Sequence, residues 1–454
     1  MSEVAAGATA ERTLIVGATV LTMDAEARVH AGGEVLVEDG RIAAVGADLE
    51  APPETPVVRL DGCLLLPGLV QAHVHLGQTF FRGLAEGRAL LPWLRERIWP
   101  LEAAHSDESA YLSAQLGAAE CLLGGTTAVQ EIGLGPGARG LLEGLVASGL
   151  RGVAGMCLMD ELDDLPPGLG ATTAEVLQRT VDLGEEVVAG ADGRVGYSLN
   201  PRFILSASDE LWRQVRDLSL ERGWPVHTHA LEHADETEAV RTLKGGRDEV
   251  EYFRQEGVLE TDLRLAHGVQ LDRPRIEALS GRRLSVAHCP SADLRLGSGA
   301  ADVVALRRAG IPVGVGSDGA ACNNDLDCLE ETRLAALLQQ LRHGPAAFDG
   351  LTALRLATSE GARAIGLGDQ IGSVEPGKRA DLVVLDVAGP EWSAAPACDP
   401  HDLVVFVGSR AAVRHVMIDG RWKVWDGALT DLDLRLIRRR AARERDRLLE
   451  RAGM

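Results

Sequence analysis

Residues 67–77, PGLVQAHVHLG, are a short apolar run that ends in two histidines. His73 and His75 are separated by one residue, and in a β-strand that spacing places both side chains on the same face. Two imidazoles held side by side at the end of a buried strand make half of a metal site. An isolated pair of this kind more often consists of one core and one surface histidine. The interpretation therefore depends on the rest of the chain.

Later apolar runs end in further candidate ligands. PVHTHA contains His229, RLAHGVQ contains His267, and PVGVGSD ends in Asp318. Each residue alone has an ordinary explanation, since a histidine in an apolar run usually makes hydrogen bonds in the core and Asp before Gly usually forms a turn. Together with the first two histidines, however, they make an improbable coincidence. Neutral imidazoles with one carboxylate suit Zn²⁺, or Fe²⁺, with a coordination position left for water.

The middle of the chain alternates apolar strands with amphipathic helical stretches. The predicted strands cover residues 69–75, 126–132, 152–160, 194–200, 225–230, 264–270, 284–290 and 312–318. Eight strand–helix units in roughly 300 residues match a (β/α)8 barrel in number and size. In such a barrel the chemistry lies at the carboxyl ends of the strands, where the candidate ligands fall. We therefore predict an α/β fold in which residues 67–372 form a TIM barrel.

The two ends of the chain have a different pattern. Residues 1–66 and 373–454 both contain runs of alternating β-branched residues with an Asp-Gly hairpin signal. We predict that these two segments together form a small β-sandwich, followed by a terminal helix. Two unrelated β appendages are the alternative.

Composition narrows the class of protein. Of the 454 residues, 46% are hydrophobic and 25% are charged, and the formal net charge is −21. Such a surface repels phosphate, so we expect neither a nucleic acid nor a membrane partner. The seven cysteines form no Cys-x-x-Cys pair, which favours reduced thiols in a cytoplasmic protein. No signal peptide and no run of about 18 apolar residues is recognisable.

At this point the sequence resembles the amidohydrolase superfamily, in particular its adenosine, methylthioadenosine, S-adenosylhomocysteine and 5′-deoxyadenosine deaminases. The resemblance covers nearly the whole chain and is carried by PGLVQAHVHLGQTFFRG, LPWLRERIWPLE, HTHALE, AHCPSADLRLGSG, SDGAACNNDLDCLEETRLAALLQ and EPGKRADLVVLD. It implies a metal-dependent deaminase of an adenine nucleoside or a related amino-heterocycle, in which metal-bound water attacks the C–NH₂ carbon and ammonia leaves. A chlorotriazine hydrolase or a guanine-type deaminase is the alternative.

The resemblance also implies roles for individual residues. One Zn²⁺ per chain, with Fe²⁺ as the alternative, is held by His73, His75, His229 and Asp318. The catalytic residues are Glu232 as proton shuttle, with His267 and Asp318 as partners of the metal-bound water. A two-metal form bridged by a carboxylated lysine is rejected, because the three lysines of the chain lie outside the predicted barrel strands. A bridging acid such as Glu131 or Asp160 is the weaker alternative.

Substrate-binding candidates come from two segments and the proton shuttle. Glu102 falls where the resembling deaminases hold the ribose hydroxyls, and Trp93 lies in the same motif. Arg202 stands where the methylthioadenosine and adenosylhomocysteine enzymes usually carry a histidine, so it either orients Glu102 or meets the 5′ substituent. Glu232 also contacts the substrate. We expect a small heterocyclic substrate, with a small 5′ group on any nucleoside, and a homo-oligomeric enzyme.

Overall fold

The computed structural model describes residues 11–160, 165–393 and 398–454. The chain divides into two compact units. The first comprises Met1–Gln71, Ala119–Ala128 and Asp327–Asp433, and the second comprises Ala72–Ala118, Val129–Leu326 and Leu434–Met454.

In the first unit, strands from both ends of the chain form one sheet. Its order is Ala428–Leu429, Arg421–Trp425, Val413–Ile418, Leu382–Asp386, Cys63–Pro67, Arg12–Leu21, Val29–Glu38 and Arg41–Gly46, with Val57–Arg59 beside Arg12–Leu21. The two ends meet where Leu382 pairs antiparallel with Pro67 and Asp386 pairs with Cys63. The predicted pairing of the β-rich ends is therefore present, in a single hydrogen-bonded sheet of the described residues.

Both predicted hairpin turns in this sheet are confirmed. Asp39 and Gly40 have φ values of 48° and 73°, and Asp419 and Gly420 have 49° and 73°. A two-residue turn that matches the twist of its strands needs positive φ at both central residues, which explains the Asp-Gly sequence.

The strands predicted for the middle of the chain form three parallel sheets. One has the order Val195–Tyr197, Arg151–Ala154, Thr126–Glu131, Leu69–His75 and Asp318–Gly319; the second has Val226–Ala230, Leu263–His267, Leu284–His288 and Val313–Val315; the third pairs Asn200–Pro201 with Cys157–Leu158. The predicted α/β class is confirmed. Three predicted strands, 152–160, 194–200 and 312–318, are each divided into two shorter strands.

A close backbone approach accounts for the interruption of the first two of these strands. A side chain at Gly155 would place its Cβ 2.0 Å from the carbonyl oxygen of Ser198, so the two backbone segments touch where the regular pairing stops. Asn200 then donates its side-chain amide to the carbonyl oxygens of Glu131 and Ile132, at 3.2 and 2.9 Å. Regular pairing resumes only beyond this contact.

Helices connect the strands. The α-helices are Leu90–Trp93, Trp99–Ala103, Asp107–Leu123, Ala138–Ser148, Thr173–Gly190, Asp209–Arg222, Ala234–Leu243, Glu249–Gln255, Arg273–Leu279, Pro290–Arg295, Val303–Arg308, Cys328–His343, Gly350–Leu356, Ser359–Ala364, Pro400–Phe406 and Leu434–Arg451. Short 3₁₀ turns occupy Leu76–Phe81, Ile204–Ser206, Val258–Glu260, Pro345–Ala347 and Arg410–Ala412, and Leu94–Ile98 is π-helical. Several helices begin at a capping side chain, as at Thr172 and Ser208. None of the helices described here is both long enough and apolar enough to span a bilayer.

Candidate metal centre

The first two candidate ligands lie at the end of a fully buried strand. His73 and His75 end the strand Leu69–His75, and Asp318, from the short strand beside it, pairs with Val74. This register places Asp318 Oδ1 3.4 Å from His73 Nε2 and 3.2 Å from His75 Nε2. The histidine pair and the carboxylate, which are far apart in sequence, therefore meet at one strand end.

His229 joins them from the strand Val226–Ala230. Its Nε2 atom lies 3.1 Å from His75 Nε2, and one ligand atom from each of His73, His75 and His229 lies within 4.8 Å of the others. The Nδ1–H of His229 donates to the carbonyl oxygen of Arg202 at 2.7 Å. That hydrogen bond leaves the lone pair on Nε2, which is directed into the cluster.

The cluster has the charge state that a metal site needs. Burial lowers the pKa of His73, His75 and His229 well below that of an ordinary histidine. The positive charges of Arg202 and His267 lower it further. A neutral imidazole offers a lone pair to a cation. Within the described part of the chain, Nε2 of His73 is buried without a hydrogen bond. These nitrogens and one carboxylate fit a divalent metal such as Zn²⁺ or Fe²⁺.

Three residues at or beside the cluster have left-handed backbone conformations. Leu231, His267 and Asp318 have φ values of 56°, 75° and 59°. Residues with side chains rarely adopt this left-handed region, which costs about 1–3 kcal/mol each and occurs mainly at functional sites. Each of the three lies at or just after a strand end, where the turn redirects the chain.

Glu232 and His267 form a coupled pair beside the cluster. Glu232 Oε2 lies 3.5 Å from His267 Nε2, and the opposite ring nitrogen, Nδ1, donates to Asp293 Oδ1 at 2.9 Å. Burial raises the pKa of Glu232 to about 8. Burial alone would lower the pKa of His267, but the carboxylates of Glu232 and Asp293 raise it well above its ordinary value. The pair therefore retains a proton at neutral pH, as a general acid must.

A pocket adjoins the cluster. It is lined by His75, His229, Glu232, His267 and Asp318, together with Leu90, Trp93, Leu94, Arg202 and Phe203. Trp93 and Leu94 lie where the chain enters the π-helical turn Leu94–Ile98, an irregularity that is frequent at functional sites. The apolar wall and the few polar groups suit a small heterocyclic molecule.

The substrate-binding candidates Glu102 and Arg202 form a buried ion pair. Arg202 Nη1 donates to Glu102 Oε2 at 2.5 Å, and Gln78 Nε2 donates to Glu102 Oε1 at 2.9 Å. Burial would lower the pKa of Arg202, but the Glu102 carboxylate raises it above its ordinary value. Arg202 lines the pocket, whereas Glu102 is 1% exposed and does not. Of this pair, Arg202 therefore lines the pocket.

The alternative bridging acids have other partners. The two oxygens of Glu131 accept the backbone N–H groups of Leu76 and Gly133 at 2.7 and 2.9 Å. Asp160 accepts from the backbone and the hydroxyl of Ser208, both at 2.7 Å. These carboxylates stabilise backbone turns.

Sequence reasoning overlooked three residues near the cluster. Asp293 holds His267, Gln78 holds Glu102, and the Cys322 thiol donates to Asp318 Oδ2 at 3.1 Å. All three lie inside the motifs that carry the family resemblance. That position in the motifs is the one signal that could have pointed to them. Their types and spacing alone do not distinguish them from ordinary core residues.

Gly316 directly follows the strand Val313–Val315 and lets the chain there approach the strand Leu69–His75. A Cβ at this position would lie 2.5 Å from the carbonyl oxygen of His73 and 2.8 Å from its nitrogen. We expect Gly316→Ala to lower the free energy of unfolding by about 1–3 kcal/mol, because the two strands must move apart. Urea unfolding measures this. Gly196→Ala is the matched control, since its nearest neighbour would be at 3.9 Å; equal losses in both variants would contradict the prediction.

Comparison with known proteins agrees with this arrangement. Residues 64–423 match the model of the amidohydrolase family. The chain is 34% identical over 445 residues to a 5-methylthioadenosine/S-adenosylhomocysteine deaminase of Pelotomaculum thermopropionicum, covering 96% of this chain and 99% of that protein. It is 35% identical over 429 residues to a 5′-deoxyadenosine deaminase of Methanothermobacter thermautotrophicus, covering 93% and 95%.

A solved structure is similar over almost the same length. The crystal structure of an adenosine deaminase from Xanthomonas campestris with bound zinc has a TM-score of 0.89 and 32% identity, covering 96% of this chain and 98% of that one. A parallel α/β fold with a cluster of histidines and a carboxylate at its strand ends is the architecture of a metal-dependent hydrolase. The chain belongs to the amidohydrolase family.

Proposed function

We propose that this protein is a metal-dependent hydrolytic deaminase of an adenine nucleoside or a related amino-heterocycle. The observation that carries the proposal is the convergence of His73, His75, His229 and Asp318 beside the protonated pair Glu232–His267. The deaminase names of the relatives support the reaction type.

The metal ligands are His73, His75, His229 and Asp318, and we propose one Zn²⁺ per chain. The zinc-bound relative supports this metal over iron. A divalent metal would supply a water acidic enough to act as a nucleophile near neutral pH. Asp318 and His267 would orient that nucleophile, with the Nδ1 of His267 held by Asp293.

Glu232 is the proton donor of the proposed reaction. Attack on an aromatic C–NH₂ carbon is slow unless the adjacent ring nitrogen is protonated. The carboxyl of Glu232 lines the pocket and, with its pKa raised by burial to about 8, carries the proton that this step needs. The resulting carboxylate would then take the proton that the nucleophilic water loses and pass it to the departing ammonia.

The charge of the pocket favours a neutral substrate. The guanidinium of Arg202 is already compensated by Glu102, and His267 lies beside the carboxylates of Glu232 and Asp293. A phosphate or an amino-acid carboxylate would therefore find no uncompensated positive charge among the lining residues. The indole Nε1–H of Trp93 is buried and has no hydrogen-bond partner among the described residues. Trp93 and Arg202 thus offer donors to a neutral acceptor such as a ribose oxygen.

A substitution at Glu102 tests the proposal that the substrate is a nucleoside. Glu102→Gln leaves the buried charge of Arg202, which lines the pocket, without its carboxylate partner, and so disturbs the donor that we assign to the ribose. We expect kcat/KM for an adenine nucleoside to fall by about 1.5–3 kcal/mol, a factor of roughly 10–150, with little change for free adenine. Steady-state kinetics on both substrates measure this. Glu108→Gln, at an exposed position, is the control; equal losses on both substrates would refute the nucleoside assignment.

A substrate screen decides between the proposed function and its alternative. Adenosine, 5′-deoxyadenosine, methylthioadenosine, S-adenosylhomocysteine, adenine, guanine and a chlorotriazine should be compared by absorbance change and ammonia release. We expect nucleosides with a small 5′ group to be the best substrates. Turnover of only the chlorotriazine or guanine would replace this function by the triazine hydrolase or guanine deaminase alternative.

We also propose that the parallel strands close into a (β/α)8 barrel over residues 67–372. The isolated parallel bridge between Leu199 and Val226 and the pairing of Asp318 with Val74 support closure, because each connects strands of different parts of the barrel. The β-sandwich of residues 1–66 and 373–454, the homo-oligomer and the cytoplasmic location are further proposals. They rest on the sequence pattern.

A further inference from the structure

His227 occupies a position from which it touches a candidate metal ligand but cannot be one itself. Its ring is 1% exposed and lies between two groups. His227 Nε2 is 2.8 Å from His73 Nδ1, and His227 Nδ1 is 3.0 Å from the carbonyl oxygen of Arg264. Both ring nitrogens of His227 are therefore engaged.

The direction of these two hydrogen bonds follows from the carbonyl group. A carbonyl oxygen only accepts, so His227 must donate its Nδ1–H to Arg264. His227 is buried and, among the described residues, neither of its ring nitrogens meets a carboxylate that would stabilise a charge, so the ring is neutral and has one N–H. Its Nε2 is then an acceptor, and His73 must be the donor through Nδ1–H. The reverse direction would set a lone pair of His227 against the Arg264 carbonyl oxygen.

The consequence reaches the cluster. When His73 carries its hydrogen on Nδ1, its lone pair is on Nε2, the atom that lies 3.4 Å from Asp318 Oδ1 and makes no hydrogen bond among the described residues. We propose that His227 is a positioning residue for the metal centre. It donates to the Arg264 carbonyl and accepts from the Nδ1–H of His73, and this hydrogen-bond relay keeps the lone pair of His73 on Nε2, where it can bind the metal. This inference rests on the proposed metal-dependent function.

The relay distinguishes His73 from the other two histidines. His229 donates directly to a backbone carbonyl, that of Arg202, and His75 Nδ1 lies 3.2 Å from the side-chain amide nitrogen of Gln78. His73 is wholly buried, and the residue that meets its Nδ1 is a second histidine. Partners of this kind typically change metal affinity by about 10–100-fold when they are replaced.

Two amide substitutions separate the hydrogen bonds of His227. In His227→Gln the side-chain oxygen can take the place of Nε2 and accept from His73. In His227→Asn the amide takes the place of Nδ1, still donates to Arg264, and is too short to reach His73. Both variants keep a polar side chain of similar bulk. We expect His227→Gln to bind Zn²⁺ within about threefold of wild type and His227→Asn to bind it about 10–100-fold more weakly.

The measurement is the apparent Kd of Zn²⁺ for the metal-free protein, obtained by competition with a chromogenic chelator. Thermal unfolding of each metal-free variant shows that it is folded. His415→Asn is the control, because His415 is a buried histidine of the first unit. Equal affinities of the Asn and Gln variants, whether both normal or both weakened, would overturn the relay. A wild-type protein that binds no Zn²⁺ would instead overturn the proposed function.

Discussion

Replacement of Glu232 by glutamine should lower kcat by about 10²–10⁴-fold while the metal content stays unchanged. Glutamine keeps the size of the side chain but has no proton to transfer to a ring nitrogen or to ammonia. Glu232 is buried, its carboxyl lies 3.5 Å from His267, and its pKa is raised by burial to about 8. Steady-state kinetics combined with metal analysis of the purified variant measure both quantities.

Glu238→Gln is the matched control for this experiment. Glu238 lies six residues further along the chain with an exposed side chain, so the same chemical change there should leave kcat within about twofold. Loss of the metal from Glu232→Gln would make Glu232 a ligand rather than a proton donor. Turnover close to that of wild type would remove its catalytic role.

Removal of the metal should reduce activity by at least about 10³-fold, because a Lewis acid contributes several kcal/mol to such a reaction. Protein purified without added metal should contain close to one Zn or Fe per chain, since the proposed ligands His73, His75, His229 and Asp318 form a single cluster. Chelation followed by stoichiometric Zn²⁺ should restore activity. His73→Asn should lose both metal and activity, because Asn offers no imidazole nitrogen.

His401→Asn is the control for the ligand variant, because His401 is a buried histidine that hydrogen-bonds to Asp399. Its metal content should equal that of wild type. Two tightly bound metals per active chain would exclude the single-metal site, and full activity of a metal-free preparation would exclude metal dependence.

Features that depend on neighbouring residues could be predicted from the sequence, whereas contacts between residues far apart in the chain could not. Alternation places His73 and His75 on one face of a strand, and an apolar run limits where that strand begins and ends. The Asp-Gly turns are equally local, because positive φ at two successive residues is a property of those residues. Such features could be predicted, and the observed strands and turns agree with them.

Pairings between distant residues could not be predicted in this way. His73 meets His227 across 154 positions, Arg202 meets Glu102 across 100, and His267 meets Asp293 across 26. Each contact depends on strand register and on how the following helix or loop packs, to within about an ångström. The orientation of the Arg202–Glu102 pair is of this kind: the sequence placed both residues in the substrate region, and packing turned Arg202 toward the pocket.

The sequence by itself therefore determined the parallel α/β class, the family resemblance and the candidate ligands at the strand ends, because periodicity and residue type are properties of neighbouring residues. Only the tertiary structure decided which groups face the Nδ1 atoms of His73 and His229, which carboxylate holds His267, and where two strands are interrupted, at Gly155 and Ser198. Hydrogen-bond direction in a buried cluster is set by which carbonyl or carboxylate faces each ring, and that is known only when separate strands have packed together.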